Sequence, residues 1–174
     1  YHVMPGLFST PAEDVAMFKE LFANPDYRPD MLKIYPTLVI PGTELHEMWL
    51  KGEYEPYDTQ TAAEVIAEAK RHVPKYVRIM RVDRDIPSHQ IAGGVKNLNL
   101  REYVARKCAE KGVRCQCIRC RQAGISELKF GKKVNEAAVQ LVRLDYGASG
   151  GKEVFLSYDD VENDLLVAFL RMRL

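Results

Sequence analysis

Apolar positions in the first two thirds of the chain follow two alternating spacings, one typical of strands and one typical of helices. Apolar runs of strand length predict three strands, at residues 1–4, 31–40 and 76–82. Apolar residues that recur every three or four positions predict four helices, which begin at or just after Thr10, Thr43, Thr59 or Thr61, and Asn97 or Asn99. This alternation indicates part of a βα barrel or of an open α/β sheet.

Capping residues and prolines set the expected ends of these elements. Thr10 precedes Pro11 and Glu13, an arrangement that predicts a capping box at the start of the first helix. The run at residues 31–40 contains Pro36, and a proline cannot donate a hydrogen bond within a central strand. We therefore expect this strand to end at Pro36. Residues 37–43 then form the loop after the strand, which is where α/β enzymes carry their chemistry.

The last third of the chain has a different pattern. Three strand-like runs, at residues 139–146, 152–158 and 165–173, follow one another with no helical spacing between them. The last two runs are joined by the polar residues 159–163, which read as a hairpin connection. These runs predict an antiparallel meander. A meander after a parallel α/β segment indicates a second domain, with the boundary at about residues 113–135.

Three of the four cysteines lie within six residues, as Cys115, Cys117 and Cys120. Thiolates bind Zn²⁺ well, and this short spacing can direct three sulfur atoms to one metal ion. The fourth ligand is open between Cys108, His72, His89 and water, and Cys108 is the nearest thiol. Three buried free cysteines, or one disulfide with a spare thiol, are the alternative interpretation. A cysteine cluster in a chain with few other cysteines favours a reducing compartment.

Charge is nearly balanced overall but uneven along the chain. The 174 residues include 25 Lys or Arg and 24 Asp or Glu, and residues 101–133 hold ten of the former against three of the latter. Apolar residues make up 47% of the chain, which is ordinary for a globular protein. The sequence shows no membrane-length apolar run and no signal peptide, so we expect a soluble, intracellular protein.

Five stretches together resemble the family of Elongator catalytic subunits, over nearly the whole chain. They are YHVMPGL, RPDMLKIYPTLVIPGTELHEMWLKGEY, VRIMRVDRDIPSHQIAGGVKNLNLRE, RCQCIRCRQAG and VRLDYGASGGKEVFLSYDDVENDLLVAFLRMRL. Phe8-Ser9-Thr10 departs from the small proline and glycine turn usual after MPGL. The resemblance implies an α/β fold in three parts: the C-terminal part of a radical SAM barrel at residues 1–112, a zinc-binding linker at residues 113–135, and the first antiparallel strands of a GNAT-type acetyltransferase domain at residues 136–174.

The resemblance implies an enzyme that modifies C5 of the tRNA wobble uridine with S-adenosylmethionine and acetyl-CoA. The 4Fe-4S cluster cysteines and the acetyl-CoA loop of the family are expected outside this chain, so the chain is expected to be an inactive piece of a catalytic protein. Implied partners are tRNA and accessory Elongator subunits or a second copy, without membrane or DNA. The implied location is the cytoplasm.

Within the chain, the resemblance and the residue chemistry together indicate candidate sites. Lys33 and Tyr35 lie on a strand that leads to a barrel loop, so either is a candidate catalytic residue; an outward lysine and a packed tyrosine are the alternative. Arginine binds phosphate through two donors, and the candidate RNA contacts are Arg78, Arg81, Arg84, Arg114, Arg119 and Arg121. A solvated charged face is the alternative for these arginines.

The sequence also offers weaker site candidates and alternative functions. Tyr146, His89 and the glycine-containing loop 147–151 are further site candidates, and His46 with its two neighbouring glutamates on a short helix reads as an exposed polar face. A noncatalytic zinc module that binds RNA is the second function considered. The sequence has no Gly-x-Ser-x-Gly motif, which argues against an α/β hydrolase.

Overall fold

A computed structural model describes residues 1–83 and 86–174. In the first half of these residues, three parallel strands lie in the order β1-β2-β3, with β2 in the middle. The elements are β1 (His2–Val3), α1 (Pro11–Ala23), β2 (Met31–Ile34), α2 (Glu44–Leu50), α3 (Thr59–Ala69), β3 (Arg78–Val82) and α4 (Leu100–Glu110). The predicted alternation of parallel strands and helices is therefore confirmed.

The predicted element boundaries are largely confirmed. The Thr10 hydroxyl accepts a hydrogen bond from the Glu13 amide and caps α1, and the Glu13 carboxylate accepts one from the Thr10 amide, which completes the capping box. Strand β2 ends at Ile34, two residues before Pro36. Thr43 caps α2 as expected. The third helix differs in its cap, because the Asp58 carboxylate accepts a hydrogen bond from the Thr61 amide at 2.7 Å and starts the helix at Thr59.

Helix α3 is the centre of the hydrophobic core. Its inner face carries small side chains together with Val65 and Ile66, and these are buried. Small residues let the neighbouring helices α1 and α4 pack close to α3. The same core continues into the second half of the chain, where Phe155 and Leu166 are also buried members. The boundaries predicted at residues 112/113 and 135/136 stay predictions.

The second half of the chain begins with two short helices, α5 (Ile118–Arg121) and α6 (Ala123–Phe130). Neither helix was predicted from the sequence. They lead to an antiparallel sheet in which β5 (Gly151–Asp160) lies between β4 (Val139–Ala148) and β6 (Leu165–Arg173). The predicted meander is confirmed, but β5 is longer than expected: Asp159 and Asp160 belong to the strand, so the connection to β6 is shorter than residues 159–163.

Specific contacts join the two sheets away from the cysteines. The Tyr76 and Tyr146 rings stack with centroids 3.9 Å apart. The guanidinium of Arg171 lies 2.9 Å from the Asp30 carboxylate and also donates to the carbonyl of Tyr76. The Arg28 guanidinium donates to the carbonyl of Gly147 at 2.9 Å. Tyr146, a site candidate in the sequence analysis, therefore lies in this contact.

Candidate metal centre and arginine surface

The three clustered cysteines come together in space as the sequence predicts. The sulfur atoms of Cys115, Cys117 and Cys120 all lie within 4.8 Å of one another. Four ligands around a tetrahedral zinc ion at about 2.3 Å lie about 3.8 Å apart, so this group is compact enough to share one ion. The donor set and its spacing therefore fit zinc.

Local backbone structure fixes this group. The carbonyl of Cys117 accepts hydrogen bonds from the amides of Cys120 and Arg121, which closes the first turn of α5. The Ile118 amide donates to the Val77 carbonyl at 2.9 Å and attaches the cysteine loop to the residue before β3. The cysteine loop is therefore attached to the parallel sheet rather than forming an independent turn.

Hydrogen bonds among the thiols make Cys117 the most acidic of the three. Hydrogen bonds from Cys115 and Cys120 lower the pKa of Cys117, although burial opposes this. The hydrogen bond shared with Cys117 raises the pKa of Cys115. Without a metal, the Cys117 thiolate accepts hydrogen bonds from two thiols. A bound metal ion would replace the shared protons, so that all three sulfurs surround the ion as thiolates.

Lys70 is a member of this site that the sequence analysis did not identify. It follows α3, it is 94% buried, and its ammonium nitrogen lies 3.9 Å from the Cys120 sulfur. Burial lowers the pKa of Lys70, but Cys115, Cys120, Cys108 and Cys117 together outweigh burial and raise it. A buried cation beside three thiols balances the negative charge that three thiolates would bring to one zinc ion.

None of the protein candidates for the fourth ligand belongs to the group of sulfurs that lie within 4.8 Å of one another in the described part of the chain. Among the described residues, the group of sulfurs includes neither Cys108 nor His72 nor His89. Cys108 is buried on α4, and burial raises the pKa of its thiol. Water is the one candidate that is not a protein group, and Cys108 as the fourth zinc ligand stays a prediction.

Lys33 and Tyr35 lie at the carboxyl end of β2, both half-buried. The amide of Lys33 donates to the Tyr1 carbonyl, and the Tyr35 ring meets the His2 ring edge to face at 5.7 Å. This is the edge of a parallel sheet at which barrel sites lie. Their catalytic role stays a prediction.

The six candidate arginines do not form one exposed surface. Arg121 is buried, and its guanidinium pairs with the carboxylates of Asp159 and Asp164. The prediction of an RNA contact at Arg121 is therefore wrong, because its donors face the interior. Arg114 is exposed but pairs with Asp164 at 3.1 Å. Arg78 is half-buried at the start of β3, and Arg84 lies outside the described residues.

Arg81 and Arg119 do lie together. They line one cleft beside β3, and Arg101, which the sequence analysis did not name, lines it as well. Arg101 lies in the first turn of α4 and donates to the Met80 carbonyl at 3.3 Å. Three arginines from three different elements therefore meet at this cleft.

Asp164 connects the cysteine loop to the antiparallel sheet. It precedes β6, and its carboxylate accepts from Gln116 and Arg121, each at 3.0 Å, and pairs with Arg114 and Lys75. Burial raises the pKa of Asp164, but the Gln116 hydrogen bond and the charges of Arg121 and Arg114 outweigh burial and lower it. The carboxylate is thus stabilised in its charged form.

Comparison with known proteins identifies the architecture. Residues 29–110 match the family model described as Radical_SAM C-terminal domain. The tRNA uridine(34) acetyltransferase of Methanocaldococcus infernus is 54% identical over 99% of this chain and 33% of that protein. Elongator complex protein 3 of Homo sapiens is 44% identical over 99% of this chain and 31% of that protein. The chain thus spans about a third of the length of the curated relatives it matches.

A solved structure agrees with this match. The archaeal Methanocaldococcus infernus Elp3 with an N-terminal deletion superimposes with a TM-score of 0.96 at 54% identity, over 99% of this chain and 41% of that one. The fold is therefore the C-terminal part of a radical SAM domain joined to an antiparallel sheet. The chain is thus similar, over nearly its whole length, to part of the tRNA uridine(34) acetyltransferase of Methanocaldococcus infernus and part of human Elongator complex protein 3. Within the described residues, no helix is long and apolar enough to cross a membrane.

The Asp164 cluster predicts a pH-dependent contribution to stability. Asp164→Asn should lower the free energy of unfolding by about 2 kcal/mol at pH 7, because it removes charged hydrogen bonds from a largely buried group. The folded pKa lies below the unfolded value, so this stabilisation is complete above about pH 4 and is lost as the pH falls through the folded pKa. Urea unfolding from pH 7 to pH 3 measures it.

Asp145→Asn is the matched control, since Asp145 pairs only with exposed Arg143 in the described residues. We expect a small effect for the control. An equal loss of stability in both variants, or an Asp164→Asn effect that does not shrink toward pH 3, would contradict the role of Asp164.

Proposed function

We propose that this chain is the connecting part of an enzyme that modifies C5 of the wobble uridine, position 34, of tRNA. The observation that carries the proposal is the 54% identity across nearly the whole chain to a protein named tRNA uridine(34) acetyltransferase. In the whole enzyme, S-adenosylmethionine with a 4Fe-4S cluster supplies radical chemistry and acetyl-CoA supplies the carbon unit added to the base. Their binding residues are expected outside this chain.

The part of the reaction assigned to this chain is positional. The parallel sheet forms one wall of the barrel, with Lys33 and Tyr35 at its carboxyl edge as candidate contacts to the reacting groups. Arginines that line the cleft beside β3, with exposed Arg81 and half-buried Arg119 foremost, attract the RNA backbone. Arg78 and Arg114 are the other arginines kept in this proposal. Accessory Elongator subunits or a second copy are the proposed protein partners, and the cytoplasm is the proposed location.

We assign the cysteine triad to zinc with a structural role. Cys115, Cys117 and Cys120 would hold the ion, with Lys70 as the neighbouring cation. A 4Fe-4S cluster places its thiolates on separate iron atoms and needs them farther apart than one zinc ion does. The compact triad therefore suits a single ion. That ion would fix the loop that carries Arg121, and through Arg121 it would fix the loop against the antiparallel sheet.

The activity is tested on the whole protein, purified without oxygen and supplied with S-adenosylmethionine, acetyl-CoA and a tRNA that has uridine at position 34. We expect nucleoside mass spectrometry to detect a carboxymethyl group on C5 of that uridine. A tRNA with cytidine at position 34 is the control and should stay unmodified. If loaded protein binds tRNA but leaves position 34 unchanged, the enzyme assignment is wrong and a noncatalytic RNA-binding zinc module is favoured.

The metal assignment has a separate measurement. Elemental analysis of whole protein should give one zinc per chain in addition to cluster iron, and Cys117→Ser should remove the zinc while leaving the cluster absorbance intact. Asp145→Asn, far in sequence from the triad, should retain zinc. Loss of iron rather than zinc in Cys117→Ser would show that the triad holds an iron-sulfur cluster.

A further inference from the structure

The loop after β1 carries an exposed aromatic ring on a strained backbone, and we call residues 5–10 the Phe8 loop. Phe8 has a φ of 52°, in the left-handed region that bulky side chains rarely adopt, and it is 63% exposed. Its ring meets the Tyr54 ring edge to face, with centroids 5.3 Å apart. Such a backbone conformation costs free energy and persists only where the surrounding structure imposes it. Burial of the ring does not explain this cost, because most of the ring stays in water.

A buried carboxylate imposes the conformation of the Phe8 loop. Asp14, in the first turn of α1, accepts hydrogen bonds from the Gly6 amide at 2.8 Å and from the Ser9 hydroxyl at 2.9 Å. The Tyr57 hydroxyl donates to the same carboxylate at 2.8 Å. Because one carboxylate is bonded to residues on both sides of Phe8, the backbone between them has little freedom.

Two tyrosines complete the support of this loop. The Tyr54 hydroxyl donates to the Gly6 carbonyl at 2.7 Å, and the Tyr57 hydroxyl lies 3.0 Å from the Ser9 carbonyl. Gly6 has a φ of 85°, and a Cβ atom on it would lie 3.0 Å from the Tyr57 ring, so this ring packs directly against the loop backbone. The conformation that exposes the Phe8 ring is therefore fixed before any ligand binds, which lowers the ordering cost of binding.

The Phe8 loop lies at the carboxyl edge of the parallel sheet. It follows β1, and its Pro5 carbonyl accepts a hydrogen bond at 2.9 Å from the amide of Thr37, in the loop after β2. Lys33 and Tyr35 lie at the end of that neighbouring strand. Loops at this edge form the mouth of a barrel. Phe8 is also where the sequence departs from the small turn usual after MPGL, so the exposed ring is a feature of this chain.

We propose that Phe8 stacks on an unpaired base of the RNA substrate next to uridine 34. The proposal rests on the proposed function, since it names the residue that holds a base beside the reacting one. Aromatic side chains stack on the bases of single-stranded RNA, because every base has a π face. Closed active sites protect reactive intermediates from side reactions, so the reacting base belongs inside the barrel. A rigid ring exposed at the mouth is placed for the base beside it.

Substitutions of Phe8 in the whole protein test the stacking. Phe8→Ala should raise the Kd and the KM for tRNA about tenfold, because stacking on one base contributes affinity of this order. The KM for S-adenosylmethionine should stay unchanged. Phe8→Leu keeps an apolar side chain without a π face and should lose most of the same affinity, whereas Phe8→Trp should retain it. Phe130→Ala is the matched control, because Phe130 is 78% exposed at the end of α6, and it should change neither constant.

Photocrosslinking locates the contact directly. A tRNA with 5-iodouridine at position 33 or 35 should crosslink to Phe8 in wild-type protein, as identified by mass spectrometry of the joined peptide, because this base reacts with an aromatic ring stacked on it. Phe8→Leu should lose the crosslink, and Phe130→Ala should keep it. The same base placed in the acceptor stem should give no crosslink at Phe8.

Melting temperatures check that each variant folds, and Phe8→Leu takes the place of Phe8→Ala if the latter does not. An unchanged Kd for tRNA in a folded Phe8 variant that lacks the ring would overturn the proposal, as would an equal loss in Phe130→Ala. Full affinity in Phe8→Leu with a loss in Phe8→Ala would mean an apolar contact without stacking. A rise confined to the KM for S-adenosylmethionine would assign the ring to that cofactor instead.

Failure of the stacking and failure of the proposed function give different results. Wild-type protein that modifies uridine 34, with no crosslink at Phe8 and no effect of Phe8→Ala, keeps the proposed function and removes only the stacking. Wild-type protein that leaves uridine 34 unmodified removes the proposed function itself, whatever the Phe8 variants do.

Discussion

The buried pairing of Arg121 with Asp159 and Asp164 is the interaction on which the arrangement of the two sheets depends. Arg121 ends the short helix that follows Cys117 and contains Cys120, while its acidic partners lie in β5 and just before β6. A buried ion pair gains little net stability over apolar packing, but losing one partner costs about 3–5 kcal/mol because a charge is left buried. The pairing therefore acts chiefly to fix one relative position of the cysteine loop and the antiparallel sheet.

The position of Arg121 gives the cysteine triad a structural role. Cys120 immediately precedes Arg121, so any ion held by the triad also fixes the start of the Arg121 side chain. Lys70 is a buried cation that follows α3 and contacts Cys120, so its positive charge offsets the negative charge of the thiolates. The end of α3, the cysteine triad and the antiparallel sheet are thus linked by charged contacts between residues that lie far apart in the sequence.

Patterning and capping in the sequence were enough to predict the parallel strands, the capping box at Thr10, the end of β2 before Pro36 and the antiparallel meander, because each depends on local chemistry. The cysteine triad was likewise readable from its spacing. Arg121 and Lys70 were not, since a charged residue is expected at the surface and only the tertiary fold brings Asp159, Asp164 or the thiols to them. Helices α5 and α6 were missed because their short segments show little apolar periodicity.

Hydrogen exchange on the whole protein tests the central claim most directly. If the triad fixes Arg121, then Cys117→Ser or zinc removal should speed amide exchange at residues 161–166, the connection that contains Asp164, while α3 in the barrel core keeps its protection. Zinc should restore protection in wild type but not in Cys117→Ser. Unchanged exchange at residues 161–166 after confirmed loss of zinc would contradict the claim that the metal site holds the two sheets together through Arg121.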